Sequence, residues 1–466
     1  MRSFFQKLKT DFSLEFCFEL FLLLIFYLAA LYLADGSVLF GSGPQDPIPL
    51  PLFITAIFCE LSCLTGILIW QIKKYKYRPN LILISILSVL FIIQLVTILT
   101  FKNGRTYSVV ISDGSTYSFD YSMEPLEYVR YIFGALSICT ICFITLDFLP
   151  QKYKNNDYFV TLFAFLMIGF AIASIIGSFV LEPERIGGLF KLEQFSDLPS
   201  LALKSFYPSK NAYALVLLCG ALSIVYLALK EHKIYLTIAL ILLQIPIFLT
   251  QAKLCIALGL ITLVGYGLIR FFQTYKNNEK RNWIILASIV GTILLISIIL
   301  LVIPKTNEII RGVLDNIFQE KFGKSTMDGR TKIWEYSFVE LSYFNIFTGA
   351  GYKIFNVILG KFNCADVAYY VTFDTNSPHN AYIQLLGNGG IALLLVYLAI
   401  FGLLVYVLIK IFKKNTYLAA FEVIVLISIL ALSVFEEGTI IFPQTGEFMF
   451  LTALFAVPLL QERIKE

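Results

Sequence analysis

The sequence predicts an all-α polytopic membrane protein with one large extracytoplasmic loop. Three observations carry that reading. Hydrophobic residues fill 58% of the 466 positions and charged residues only 15%, whereas a soluble domain carries about 25% charged residues. The mean hydropathy is +0.79. Apolar stretches also recur along the chain at membrane-span length, giving about twelve spans of roughly 20 residues.

In order, the apolar stretches are 14–34, 50–72, 80–101, 128–149, 157–181, 211–230, 234–250, 252–272, 283–304, 384–409, 417–435 and 446–461. The first follows Arg2, Lys7 and Lys9, as a secretory signal would. Its run from Leu14 to Ala34 exceeds the roughly 7–15 residues of a signal core, so it reads as a retained span. The stretch at 234–250 is short and turns back through Thr250 and Gln251 into the next. The chain therefore divides into spans 1–9 over 1–304, the loop over 305–379, and spans 10–12 over 380–466.

Lysine and arginine placement sets an orientation. One alternate set of connections holds Lys73, Lys74, Lys76 and Arg78, then Lys152 and Lys154, Lys230 and Lys233, Lys276, Lys280 and Arg281, and Lys413 and Lys414. The opposite set includes 35–49 and 436–445, which contain neither residue. Both termini are thereby expected in the cytoplasm, with 102–127, 182–210 and 305–379 outside. The first of these is turn-rich and acidic (Asp113-Gly114, Asp120, Glu124-Pro125), which suits a small hairpin.

Within 305–379, Ile309, Ile310, Val313, Leu314, Ile317 and Phe318 recur at helical spacing opposite Glu308, Arg311, Asp315 and Glu320. That pattern predicts an amphipathic helix on the bilayer surface or capping the bundle. A second helix is expected from Arg330 to about Tyr343, with Trp334, Phe338 and Leu341 on one face.

The residues also exclude chemistries. A net charge of +4 without a basic run does not suit nucleic acid. There is no phosphate-binding glycine loop, no His-Glu-x-x-His pair and no aspartate-x-aspartate motif on an outward loop. A zinc site would cluster His and Cys, but the two histidines, His232 and His379, fall on opposite predicted faces. Of the eight cysteines, all but Cys364 lie in apolar stretches, where cysteine behaves as a small hydrophobe. Cys139-x-x-Cys142 is read as packing, and neither metal nor cofactor is expected.

What remains is a set of outward polar residues at span mouths. Lys210 and Lys253 open spans, Arg330 opens the second loop helix, and His379 and Asn380 lead into the tenth span. Each has a plain alternative: a snorkelling lysine, a solvated arginine, a helix-start histidine. Together they suit a membrane-borne anion such as a polyprenyl pyrophosphate. Arginine grips phosphate as a fork and lysine as a point charge, and a histidine of reference pKa about 6.5 accepts a hydroxyl proton near neutrality. Glu60 sits mid-span, where an ionisable group is costly and open to a mechanistic role. Glu422 reads as structural, and Glu436, Glu437 and Glu447 lie at the outer face.

Over 205–395 the chain resembles the O-antigen ligases and the Wzy-type O-antigen and capsule polymerases. The resembling residues are Lys210-Asn211-Ala212, Ala252-Lys253 in place of a serine-arginine pair, Gly329-Arg330 with Trp334, Gly349-Ala350-Gly351, and His379 through Leu386 to Gly389-Gly390. Asn388 and Leu393 stand where the family often has glutamate and glycine. The resemblance implies a metal-independent C-type (GT-C-like) membrane glycosyltransferase using an undecaprenyl-pyrophosphate-linked oligosaccharide. It implies that His379 activates the acceptor hydroxyl, that Arg330 and Lys253 hold the pyrophosphate, and that Lys210 and Arg311 assist. Asn380 orients the histidine or a sugar, or caps the helix.

The expected activity is polymerisation of O-antigen, capsule or exopolysaccharide repeat units outside the bacterial cytoplasmic membrane. The alternative within the fold is a ligase moving finished glycan to lipid A, protein or another surface acceptor; outside it, a flippase or transporter of lipid-linked saccharide. The implied partners are the lipid-linked donor and acceptor, membrane lipids, a chain-length regulator and a flippase. The long loop would be a lid, with Arg330 and His379 at its ends, over a cationic mouth supplied by the spans.

Overall fold

Apolar helices dominate the chain because a bilayer leaves backbone polar groups nothing but one another to bond. The computed structural model describes residues 14–35, 49–111, 113–153, 158–180, 190–193, 200–203, 205, 207, 210–231, 234–250, 252–274, 328–365, 377–436, 438–440 and 445–464. The expected span at 283–304, the amphipathic helix with Arg311, and His232, Gln251 and Glu437 lie outside those residues. Among the described residues, nine helices are long and apolar enough to cross a membrane, so the chain is an all-α, multi-pass membrane protein. It divides into two compact units, Met1–Phe163 with Lys332–Glu466, and Ala164–Thr331.

The first unit begins with α1 (Leu14–Asp35), α2 (Leu50–Tyr75), α3 (Leu81–Leu99) and the antiparallel hairpin β1 (Arg105–Val110) and β2 (Thr116–Tyr121). Next comes α4 (Pro125–Lys152). Polar residues set the boundaries. Asn80 caps α3 by accepting from the backbone of Ile82 and Leu83, and Glu124 and Glu127 form a capping box before Pro125 at the start of α4. The expected hairpin at 102–127 is thus present, with Arg105 opposite Tyr121 and Val110 opposite Thr116.

Near its end α4 widens into a π-turn over Ile144–Phe148, where Leu149 N–H bonds the Ile144 carbonyl. Pro150 accounts for it: proline has no N–H for the carbonyl four residues back and its ring crowds that oxygen, so the turn opens. The widened turn carries Asp147 into a buried position. Its carboxylate accepts from the Tyr77 hydroxyl, from Asn80 N–H at 3.1 Å and from Gln151 Nε2 at 2.7 Å. One residue after Gln151, Lys152 pairs with Glu19 at 3.2 Å and donates to Gln71 at 3.0 Å. Mid-span, Glu60 accepts from Ser137 and Thr140, each at 2.6 Å, so its carboxylate is held by hydroxyls of α4.

The unit resumes at Lys332 within α9 (Asp328–Leu341), whose first residues, Arg330 among them, belong to the second unit, and continues with α10 (Ile354–Ala365), α11 (Ala381–Phe412), α12 (Thr416–Phe435) and α13 (Gly446–Ile464); α5 (Tyr158–Val180) begins in this unit and ends in the second. The second unit also holds strands β3 (Phe190–Glu193) and β4 (Ser200–Leu203) and helices α6 (Lys210–Glu231), α7 (Ile234–Leu249) and α8 (Lys253–Thr274). The sharp return between α7 and α8 is built by Thr250, whose hydroxyl donates to Ile247 O at 2.6 Å and accepts from Ala252 N–H at 3.2 Å.

The face of α9 with Trp334, Phe338 and Leu341 is not its most buried one: Ile333, Tyr336, Ser337 and Glu340 are buried, and Phe338 is 56% exposed. In a chain whose surface is apolar, a hydrophobic stripe marks the outside as readily as the inside. The tenth span is present as α11 (Ala381–Phe412). It is broken at Gly390, where φ is +62° and ψ is −160°, a conformation essentially confined to glycine. Helix α10, within a stretch the sequence left unassigned, is an added element.

The break is filled by the loop between α9 and α10. Ala350 N–H donates to Gly387 O at 2.7 Å, while Ile391 and Ala392 N–H donate to Ile346 O and Phe347 O at 2.9 and 3.2 Å. Gln94 Nε2 of α3 takes Asn388 O at 2.8 Å. The backbones meet closely: a side-chain carbon on Gly349 would lie 2.5 Å from Gly387 O, and one on Gly390 would strike the Phe347 carbonyl. Gly390→Ala and Gly349→Ala are therefore expected to destabilise the chain by at least about 2 kcal/mol each. Gly402→Ala, with open space around it, should be neutral. Thermal unfolding in detergent is the measurement.

Candidate active site

His379 is placed by contacts on both sides. Its backbone N–H donates to Ser377 Oγ at 3.0 Å, and its φ of +45° puts it in the left-handed region, uncommon for a side-chain-bearing residue and concentrated at functional sites. Asn380 follows as the N-cap of α11, its side-chain oxygen accepting from Tyr382 and Ile383 N–H at 3.0 and 3.1 Å. Capping is thus the role the structure gives that oxygen. Trp334 of α9 donates from Nε1 to Pro378 O at 2.8 Å. The tryptophan and the histidine motifs, 45 residues apart in sequence by number, are joined one residue ahead of His379. The His379 side chain is half-buried and its Nδ1 is shielded from solvent.

Behind the histidine, α11 carries a buried amide cluster. Asn356 and Gln384 exchange hydrogen bonds at 3.1 and 2.5 Å, and Gln384 donates to Asn388 Oδ1 at 3.0 Å. Each such buried bond contributes about 1 kcal/mol and costs more if left half-made. The cluster locks α10 to the first turns of α11. Gln384 and Asn388 fall within the stretch that carries the family resemblance, but no simple signal in the sequence marks Asn356 or the pairing of the three.

The stretch from Ser342 to Ala365 is fastened at three further points. The Tyr343 hydroxyl both accepts from Ser108 N–H and donates to Ser108 O, at 3.0 and 2.9 Å. Arg105 donates to Tyr343 O at 2.5 Å and lies over the Tyr107 and Tyr343 rings. Tyr352 is buried and donates to Ala34 O at the end of α1, satisfying a carbonyl the helix terminus leaves over. Lys361 of α10 sits over Phe119 and Tyr121 at 5.0 and 4.9 Å. These contacts make 342–365 a docked part of its unit.

In the second unit, Lys210 and Lys253 are the first residues of α6 and α8. The two helices run parallel and pack together, and the two lysines interact electrostatically. Arg330 lies in the first turn of α9; its side chain, like all of Arg311, is outside the described residues. Glu436 follows the last residue of α12 and Glu447 lies in the first turn of α13. Glu422 is fully buried, with no hydrogen-bond partner among the described residues. None of the eight cysteines is in a disulfide, and Cys139 and Cys142 lie within α4. Among the described residues no three His, Cys, Asp or Glu side chains converge.

Glu340 is the feature sequence reasoning passed over. It sits on the buried face of α9 with neither carboxyl oxygen hydrogen-bonded among the described residues, within electrostatic reach of Tyr107. Burial drives its carboxyl well above the ordinary range. Its folded pKa is above its unfolded one, so stability is greatest below the unfolded pKa and falls as pH rises towards the folded one. Unfolding temperatures measured from about pH 5 to about pH 9 should fall in the wild type, and Glu340→Gln should flatten that decline. Trp334→Phe should cost about 1 kcal/mol through the lost bond to Pro378, measurable by the same unfolding assay.

No curated protein matches the chain. A family model described as O-antigen ligase matches residues 238–398, a stretch running from α7 through Lys253, Arg330 and His379 into α11. The match supports glycan transfer of the O-antigen ligase or polymerase type. Over residues 238–398 the chain is thus similar to the O-antigen ligase family.

Proposed function

We propose that the chain is a membrane polymerase of lipid-linked oligosaccharide repeat units, working outside the cytoplasmic membrane with His379 as general base. The observation that carries the reading is the Trp334–Pro378 hydrogen bond, which ties two motifs of the matched stretch together beside a histidine in strained backbone. With Nδ1 shielded, Nε2 is the ring nitrogen we assign as the base. It takes the proton of the acceptor hydroxyl as that oxygen attacks the anomeric carbon of the donor. The bond from that carbon to the pyrophosphate breaks, and undecaprenyl pyrophosphate leaves with the electron pair.

The leaving group gains negative charge, so cations aimed at it lower the barrier. Lys210 and Lys253 suit that task. Each begins a helix, and the adjacent, parallel helix N-termini of α6 and α8 add positive partial charge and backbone N–H donors to their ammonium groups. Arg330 supplies the planar fork, with Arg311 as a secondary cation. Asn380 acts through the cap that fixes the start of α11, holding His379 in its turn. A chain-length regulator and a flippase are the partners that such a reaction draws on.

The description of the matched family favours a second reading, a ligase that transfers one finished glycan to a surface acceptor. The two share donor and base and differ in product. Purified protein supplied with a lipid-linked repeat unit is expected to give a ladder of products on a gel; a single transfer to added acceptor, with no ladder, would identify the ligase. His379→Ala should lower turnover by roughly a hundred- to ten-thousandfold, and Lys253→Ala should weaken use of the pyrophosphate donor more than Lys253→Arg does. Undiminished chain growth by the His379→Ala protein would remove that residue from the mechanism.

A further inference from the structure

We propose that the connection between α2 and α3, Lys76 to Asn80 together with Lys73, is a binding site for the headgroup of an anionic phospholipid. It lies at the end of α3 opposite the hairpin that carries Arg105, and is therefore separate from His379 and its surroundings. Lys73, Lys76 and Arg78 are all exposed, and among the described residues none of the three is engaged in an ion pair or hydrogen bond through its side chain.

The backbone that presents them is fixed from beneath. Tyr77, between the two loop cations, turns inward. Its ring meets Phe148 edge-on at 5.4 Å, and its hydroxyl donates to buried Asp147 on the π-turn. Asn80 N–H donates to the same carboxylate, and Tyr77 N–H closes back onto Gln71 O at 3.2 Å. Lys76 occupies the left-handed position at the helix end, φ +53°, where glycine is usual. A buried acid, a phenol and a helix cap thus hold one short loop so that Lys76 and Arg78 both point away from the protein.

The lipid is selected by what lies beside the cations. Ile69 and Ile72 of α2 and Leu81 and Ile82 of α3 are exposed immediately next to the loop, the last two by more than 70%. Trp70 and Phe18, both exposed, have ring centroids 6.2 Å apart, an aromatic ledge of the kind found at headgroup depth. Helix α2 packs on α1 whereas α3 packs on α4, and both leave apolar flanks outward under the cationic loop. Cations above apolar flanks match a phosphate headgroup with acyl chains running down; a free phosphate would use only the upper half.

The test counts lipid retained by the purified full-length protein in detergent, by native mass spectrometry, during titration with phosphatidylglycerol or phosphatidylcholine. Wild type is expected to prefer phosphatidylglycerol. The double variant Lys76→Gln, Arg78→Gln should weaken that binding roughly thirtyfold, from the usual contribution of a basic residue near an anionic surface, with an unchanged unfolding temperature. Tyr77→Phe, which keeps every charge but loses the bond to Asp147, should lose part of the preference. Lys413→Gln with Lys414→Gln, in the turn after α11, should keep it. Wild-type binding by the first double variant would overturn the proposal. So would equal loss in the Lys413, Lys414 variant, or displacement of the lipid by inorganic phosphate or by an acidic peptide at equal charge.

Discussion

The unit that carries His379 depends on one backbone-to-backbone contact, the docking of residues 346–350 into the break of α11 at Gly390. Breaking a helix among apolar neighbours exposes N–H and C=O groups that have no water to turn to, and each such loss is costly. Here Ala350, Ile346 and Phe347 take up Gly387, Ile391 and Ala392, and Gln94 takes Asn388. The exchange requires glycine on both sides, because Gly349 approaches so closely that a side chain would overlap the peptide of α11. The described residues between α9 and α11 are held beside this seam, as is the Trp334 bond to Pro378.

The seam also accounts for the character of the long loop. Tyr343 bonded to Ser108, Tyr352 bonded to Ala34, and Lys361 over Phe119 and Tyr121 pin residues 342–365 to the hairpin and to the end of α1. A base that must meet a hydroxyl within hydrogen-bond reach benefits from such rigidity, since misplacement by about 1 Å costs a large factor in rate. At the other end of the same helices, Asp147 on its π-turn and Lys152 with Glu19 and Gln71 perform an equivalent locking. Buried polar groups are thus placed at both ends of the bundle, where connections must be held against spans that apolar packing alone would let slide.

Much of the fold is legible in the residues. The spans at 14–34, 50–72, 211–230 and 417–435 fall within a few residues of α1, α2, α6 and α12, because a long uninterrupted apolar run has one stable state in a bilayer. Helix starts are legible as well, since Asn80, Glu124 and Asn380 are side chains that satisfy free N–H groups locally. The hairpin at 105–121 follows from turn chemistry at Asp113-Gly114. The inward face of α9 was not legible, because apolar periodicity reports a difference between two surroundings, and Phe338 shows that here both accept hydrophobic side chains.

For the candidate site, the sequence by itself determined the inventory: a single histidine in a proline-histidine-asparagine step, cations at helix starts, and a glycine-rich stretch between Arg330 and His379. Those are properties of residue types and local spacing, and local physics settles them. Only the tertiary structure decided that Trp334 holds Pro378, that Gly349 and Gly390 face each other across a broken helix, and that Glu340 is buried without a hydrogen-bond partner among the described residues. Each joins or seals positions distant along the chain, and the energy that selects such pairings, a shared hydrogen bond or a close backbone approach, exists only once the chain has brought them together.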